Sequence, residues 1–105
     1  NPMGNMGNLL KQAQAMQAQM AKVQEETSSK TVTGTAGGGS VTVTATGAME
    51  LVSIVIDPEV VKSGDVEMVQ DLVLAASNDA LRKAREMMAG AMKSATGGMN
   101  VPGMF

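Results

Sequence analysis

At 105 residues, 44% of them apolar and with a formal net charge of −2, the chain has the length of one small domain. It contains no histidine and no cysteine, which excludes zinc sites built from those ligands, thiol chemistry, imidazole catalysis and disulfides. No apolar run approaches the ~20 residues of a membrane helix, and the first residues lack a signal-peptide pattern. We therefore expect a cytoplasmic protein without catalytic residues, metal, cofactor or small-molecule substrate.

Charge is distributed unevenly along the sequence. Residues 1–24 carry two lysines and no acid, residues 49–79 carry seven acids against one lysine, and residues 80–105 carry four basic residues against one acid. The two ends are basic and the middle is acidic. Such polarity can orient a protein on a polyanion even when its net charge is repulsive.

The first predicted element is a helix over residues 6–23. Its apolar positions alternate in spacings of three and four and are Met6, Leu9, Ala13, Met16, Met20 and Val23. A narrow, methionine-rich stripe of this kind suits contact with another helix. Lys11 and Lys22 lie about three turns apart on roughly one face, which is also typical of solvated lysines.

Three short strands are predicted next, over Thr31–Ala36, Ser40–Thr46 and Leu51–Ile56. The second strand alternates strictly between apolar residues and threonines. The glycines 37–39 lack the Lys-Ser/Thr ending of a phosphate loop and precede a strand pattern, so they predict a hairpin turn.

The third strand is apolar on both faces. Alternation places Leu51 and Val55 on one face and Val52, Ile54 and Ile56 on the other. Both faces need a cover, and the helix that follows can supply only one. A second copy of the chain would cover the other and would support a small core. We therefore predict a homodimer with Val52, Ile54 and Ile56 at its interface.

A second long helix is predicted from Val66 to about Ala95, with Asp65 as its N-cap. Asp57-Pro58 closes the sheet before it. At ~1.5 Å per residue the helix is roughly 45 Å long, more than three short strands can cover, so its far end should project. Residues 97–105, rich in glycine, are expected to form a flexible C-terminal tail after a single α+β domain over residues 1–96.

The second half of this helix carries the basic residues Arg82, Lys83, Arg85 and Lys93. They could contact phosphates, or they could form a solvated face in which Asp79 pairs with Arg82 and Lys83.

Asn78 and Asp79 are poor helix residues that could cap the sheet–helix junction or hydrogen-bond across a dimer interface. We favour a structural role for both. The acids 57, 59 and 65 match no cation-binding loop.

Six segments occur along the chain in a characteristic order: Asn8–Gln14, Gly37–Thr44, Ile56–Pro58, Asp71–Val73, Ala75–Ala80 and Val101–Phe105. In this order they resemble the YbaB/EbfC family of bacterial nucleoid-associated proteins. The resemblance covers essentially the whole chain and rests on the order of the segments.

The resemblance implies a homodimer whose sheets form the body and whose helices extend like tweezers to bind double-stranded DNA in the nucleoid. The expected mode is phosphate contact with low sequence preference. The DNA-binding residues would be Lys11, Lys22, Arg82, Lys83, Arg85 and Lys93. One alternative stays open: because the net charge is negative and the basic residues are few, the methionine-rich helical arms could instead grip a partner protein as an adaptor.

Overall fold

The computed structural model describes residues 2–97, with side chains from residue 5 onward. A helix, a three-stranded sheet and two further helices follow one another, as predicted for an α+β chain. The elements are α1 (Pro2–Ser28), β1 (Thr31–Ala36), β2 (Val41–Thr46), β3 (Leu51–Ile56), α2 (Pro58–Lys62) and α3 (Val66–Ala95). Apart from Gly97, the predicted tail and the closing motif of the resemblance lie outside the described residues.

The two long helices occupy the predicted places in the chain. α1 extends beyond residues 6–23 at both ends, and Thr27, four residues after Val23 on the apolar stripe, is buried. α3 begins at its predicted cap, where Asp65 Oδ1 accepts a hydrogen bond from the Met68 N–H at 3.0 Å.

The short helix α2 is not predicted from the sequence. Pro58 occupies its first turn, where no backbone donor is needed, and Asp57 Oδ1 accepts a hydrogen bond from the Glu59 N–H at 2.9 Å. The Asp57-Pro58 pair does end the sheet as expected. It also starts a helix, because the geometry that excludes proline from a strand is favourable at a helix N-terminus.

The three strands form an antiparallel meander in chain order. Gly34, Val43 and Ile54 pair across the sheet, so they share a face. We call this the helix face, because α3 packs on it, and we call the opposite side the outer face. The threonines of the alternating strands lie on the outer face and are Thr31, Thr33, Thr35, Thr42, Thr44 and Thr46.

A β-bulge in β3 corrects one prediction. Thr44 pairs with Ser53 but Ala45 pairs with Leu51, so Val52 is an extra residue. Ala45 is fully buried on the helix face, and Leu51 lies opposite it on the same face. The prediction that Leu51 shares a face with Val55 is therefore wrong. Strict alternation fails here because the extra residue Val52 has no partner on β2. Residues before the bulge therefore point to the opposite face from the one that alternation predicts.

The core lies between β2 and one side of α3. Its fully buried apolar members are Val41, Val43, Ala45, Ala76, Ala80 and Ala84. Alanine at every fourth position leaves α3 with a flat strip, which allows its backbone to approach the sheet closely. A Cβ atom on Gly34 would lie 2.2 Å from the Ala80 backbone nitrogen, so only glycine fits at this point of β1.

α1 and the second half of α3 project from the same end of the sheet. Near the start of α3, Leu72 lies against Gly37 in the first hairpin turn. α1 ends at the other end of the sheet, where a Cβ atom on Gly47 would lie 2.2 Å from the Thr27 carbonyl oxygen. The prediction that α3 projects beyond the sheet is confirmed. We call α1 together with residues 82–95 of α3 the arm.

The two helices of the arm pack against each other over part of their length. Met16, Met20 and Val23 of α1 are half-buried there, as the stripe predicts. Met6 and Leu9, at the far end of the same stripe, are 63% and 62% exposed. The result is an elongated molecule that measures 75 × 23 × 16 Å along its principal axes.

Candidate nucleic-acid interface

The basic residues predicted to contact DNA all lie on the arm, and all are exposed. Lys11 and Lys22 of α1 are eleven positions apart, which is about three helical turns or roughly 16 Å. Arg82 and Lys93 of α3 have the same spacing, so each helix presents two of its basic residues on one side. The structure thus places basic residues from the two ends of the sequence on one projecting arm.

Two of these basic residues are held by an acid inside the same helix. Asp79 Oδ1 pairs with the Arg82 guanidinium, and Asp79 Oδ2 lies 3.1 Å from Lys83 Nζ. Asp79 Oδ2 also accepts a hydrogen bond from the Thr35 backbone N–H at 3.0 Å. On its other side, Arg82 Nη1 lies 3.4 Å from Glu86 Oε1. The sequence-based alternative of intrahelical pairing is therefore confirmed for Arg82 and Lys83.

The contacts of Asp79 favour its charged form. The Thr35 N–H has the largest effect in lowering the pKa of the Asp79 carboxyl, followed by the hydrogen bond from Lys83. Partial desolvation opposes this shift, and Arg82 adds to it. Of the two structural roles considered for Asp79, the structure shows the first, because the side chain caps the junction between β1 and α3.

The local charge balance follows from these pairs. Asp79, Arg82, Lys83 and Glu86 together have no net charge. Within residues 2–97, Arg85 and Lys93 form no ion pair with an acid. The uncompensated positive charge of α3 therefore lies at Arg85 and Lys93, a distinction that the sequence pattern alone does not make.

A second surface surrounds β3. Of the predicted interface residues, Val52 and Ile54 are 56% and 49% exposed, and Ile56 is half-buried. Leu51 and Val55 are exposed as well, although the sequence-based prediction left them out of the interface. Regular alternation predicts two faces, one of which the following helix would cover, and so excludes Leu51 and Val55 from the interface.

The two edges of the sheet differ in how they are protected. α3 packs closely on β1, and Asp79 accepts the outward-facing N–H of Thr35. Within residues 2–97, no further strand pairs with β3, and α3 makes little contact with it. β3 is therefore an unprotected edge strand with apolar side chains, the kind of edge that pairs with another chain.

Other kinds of site find little support in the part of the chain that is described. The glycines at 37–39 form the predicted hairpin turn, with φ angles of 64°, 67° and 96°. Across residues 2–97, no three acids lie close enough together to hold a metal ion. None of the helices in that range has both the length and the hydropathy to cross a lipid bilayer.

The chain is similar to known proteins over nearly its full length. Its sequence matches the YbaB/EbfC DNA-binding family over residues 3–99. A nucleoid-associated protein of Caldanaerobacter subterraneus is 57% identical over 101 residues, which cover 96% of this chain and 91% of that protein. One from Acetivibrio thermocellus is 56% identical over 103 residues, covering 97% and 91%.

A solved structure has the same fold. The crystal structure of an uncharacterised protein from Helicobacter pylori aligns with a TM-score of 0.61 at 27% sequence identity, covering 74% of this chain and 90% of that one. The two chains share the α+β architecture, and the family match carries the description as DNA-binding. The chain belongs to the YbaB/EbfC family of DNA-binding proteins.

Proposed function

We propose that this protein is a nucleoid-associated protein that binds double-stranded DNA as a homodimer, mainly through phosphate contacts and with little sequence preference. The observation that carries the proposal is that six exposed basic residues lie on one projecting arm of a chain that belongs to a DNA-binding family. Lysine and arginine contacts to phosphates supply affinity that does not depend on base sequence. The chain contains no tryptophan or tyrosine, which disfavours single-strand binding through stacked bases.

The dimer part of the proposal rests on β3. Its open edge is flanked by exposed apolar side chains, with Ile54 on the helix face, Val55 on the outer face and Val52 in the bulge. A second copy would cover this edge with its own β3, as twofold symmetry requires. The β3 residues lie in the sheet, and the arm projects beyond it. A dimer formed through β3 would therefore leave both arms free for DNA.

Charge polarity supports the orientation of this dimer. The acidic segment 49–79 forms β3, α2 and the first half of α3. The basic residues lie further along α3 and on α1. We infer that the arms face the duplex, that the acidic body faces away from it, and that the protein resides with DNA in the nucleoid of the cytoplasm. Neither a cofactor nor a small-molecule substrate has a role in this function.

The proposal is tested by fluorescence anisotropy of a labelled duplex with the wild type and with an Arg85→Glu/Lys93→Glu variant. Among the described residues neither substituted side chain forms an ion pair with Asp79 or Glu86, and both are exposed, so the fold should be retained. The expected result is a loss of affinity of about tenfold or more at low salt, because phosphate contacts on both arms of the dimer become repulsive.

A charge-matched control separates local contact from net charge. The Lys30→Glu/Lys62→Glu variant changes the formal charge by the same amount at positions outside the arm. It should lose much less affinity than the arm variant, and light scattering should show all three proteins as dimers. Equal losses in the two variants would place the DNA contact elsewhere, and a wild type that fails to bind at low salt would refute DNA binding.

A protein adaptor is the second candidate, and one observation favours it. Met6, Leu9 and Leu10, near the start of α1, are each more than 60% exposed. Exposed apolar side chains of this kind are typical of helices that bind a partner through apolar contact. Salt distinguishes the two functions. Phosphate binding weakens steeply as salt rises, whereas apolar binding is retained or strengthened.

A further inference from the structure

Asp79, which lies on α3 just before the arm, is held more firmly than Glu86, the other acid that pairs with Arg82. Both carboxylate oxygens of Asp79 are occupied by donors from Thr35, Arg82 and Lys83. The side chain is 20% exposed, and its bond to Thr35 attaches it to the backbone of a strand. Glu86 is 65% exposed, and its ion pair in the described chain is the one with Arg82 at 3.4 Å. Glu86 can rotate away from Arg82, whereas Asp79 is fixed.

We propose that Asp79 is a fixed internal counter-anion that competes with DNA phosphates for Arg82 and Lys83 and so limits the affinity of the arm for DNA. This inference rests on the proposed DNA-binding function and assigns a residue that regulates its strength. The competing group is chemically similar to the ligand, since a carboxylate and a phosphate both accept charged hydrogen bonds from arginine and lysine.

The position of Asp79 determines the direction of the effect. When a duplex approaches, Arg82 and Lys83 must either leave Asp79 or share their donors with it. Asp79 cannot follow them, because the Thr35 N–H holds its carboxylate against β1. Its negative charge then remains beside the DNA backbone and repels it. Arg85 and Lys93, which form no ion pair in the described chain, carry no such penalty.

The inference is tested with Asp79→Asn, measured by the same duplex titration over a range of salt. Asparagine keeps the shape of the side chain and an oxygen that can accept from Thr35, but it carries no charge. We expect affinity to rise about fivefold at low salt. We also expect the slope of log affinity against log salt to become steeper by up to about 4, because Arg82 and Lys83 of both copies become available to phosphates.

Two matched variants control for net charge. Glu86→Gln and Asp71→Asn remove one negative charge each, the first from the movable partner of Arg82 and the second from the acidic half of α3. Both should raise affinity by less than Asp79→Asn does. Equal gains in all three variants would overturn the inference. A loss of affinity in a folded Asp79→Asn protein would also overturn it, and would mean that Asp79 orients the two basic side chains for DNA.

A second pair of variants tests the inference without changing Asp79, should Asp79→Asn fail to fold. Arg82→Gln/Lys83→Gln and Arg85→Gln/Lys93→Gln remove the same amount of charge from the same arm. The first should lower affinity less than about threefold and the second about tenfold, because only the second removes residues that are free to contact phosphates. The reverse order would overturn the inference while leaving DNA binding intact. A wild type that binds no DNA would overturn both proposals.

Discussion

Asp79 connects a strand edge to a helix, so its ionisation should affect stability as well as binding. Its pKa in the folded protein lies below the usual value of 3.8, chiefly because of the Thr35 N–H. A carboxylate of this kind stabilises the fold at pH values above its pKa in the unfolded chain. That contribution is lost as the pH falls through its lower pKa in the folded protein. The stabilisation is therefore fully present at neutral pH, begins to fall near the unfolded pKa and is lost as the pH drops further through the folded pKa.

The corresponding prediction concerns thermal unfolding of the wild type and Asp79→Asn between pH 7 and pH 3. We expect the wild type to have the higher melting temperature at neutral pH, and the difference to shrink as the pH falls. Circular dichroism at 222 nm follows the transition. Asp71→Asn is the control, since the Asp71 side chain forms no hydrogen bond or ion pair within residues 2–97. A difference for Asp79→Asn that stays constant down to pH 3 would contradict the assigned cause.

Two glycines should respond in opposite ways to the same substitution. Gly34→Ala would place a Cβ atom 2.2 Å from the Ala80 nitrogen and 2.5 Å from the Ala76 carbonyl oxygen, both of which are backbone atoms. We expect this change to destabilise the protein by at least about 2 kcal/mol. Gly90 has open space around it within α3, so Gly90→Ala should stabilise by about 0.5–1 kcal/mol. Urea unfolding measures both, and a tolerated Gly34→Ala would contradict the close approach of α3 to β1.

At the scale of elements, the unprotected β3 edge makes a prediction about assembly. Ile54→Lys places a charge in the middle of the apolar β3 surface and should convert a dimer into a monomer, since an unpaired charge is costly to bury. Size-exclusion chromatography with light scattering measures the mass of each species. Thr33→Lys, on the outer face of the other edge strand, should leave the dimer intact. A dimer that survives Ile54→Lys would place the interface outside β3.

The elements themselves were largely predictable, and the exceptions have physical causes. The stripe from Met6 to Val23 and the Asp65 cap indicated the two long helices, because helical periodicity and capping are local properties of the chain. The bulge at Val52 depends on how β3 pairs with β2, which is not local. Pro58 predicts the end of a strand, and a residue that ends a strand can also begin a helix.

The candidate site was predictable in position but not in charge balance. The six basic residues lie on the arm, as the helical spacing and the resemblance implied. Spacing also indicated that Asp79 could pair with Arg82 and Lys83. The hydrogen bond from Thr35, which fixes Asp79 in place, joins residues 44 positions apart. Only the packing of α3 on β1 brings them together.

In the molecule as a whole, the acidic and basic segments of the sequence occupy different regions, the body and the arm. The acidic segment folds into β3, α2 and the start of α3, whereas the basic residues extend along an arm in a particle 75 Å long. A net charge of −2 therefore does not describe what a duplex would encounter. Steering by a local field of this kind is strongly reduced by salt, because the screening length falls to ~8 Å at physiological ionic strength.

Phosphate contact is tested most directly by the salt dependence of affinity for two duplexes of equal length and unrelated sequence. Each neutralised phosphate contributes about −0.9 to the slope of log affinity against log salt, so Arg85 and Lys93 of two copies predict a slope near −4. Lys11 and Lys22 of both copies would extend it to about −7. We expect a slope in this range that is the same for both duplexes. Binding that ignores salt, or that differs more than tenfold between the two sequences, would contradict the proposed function.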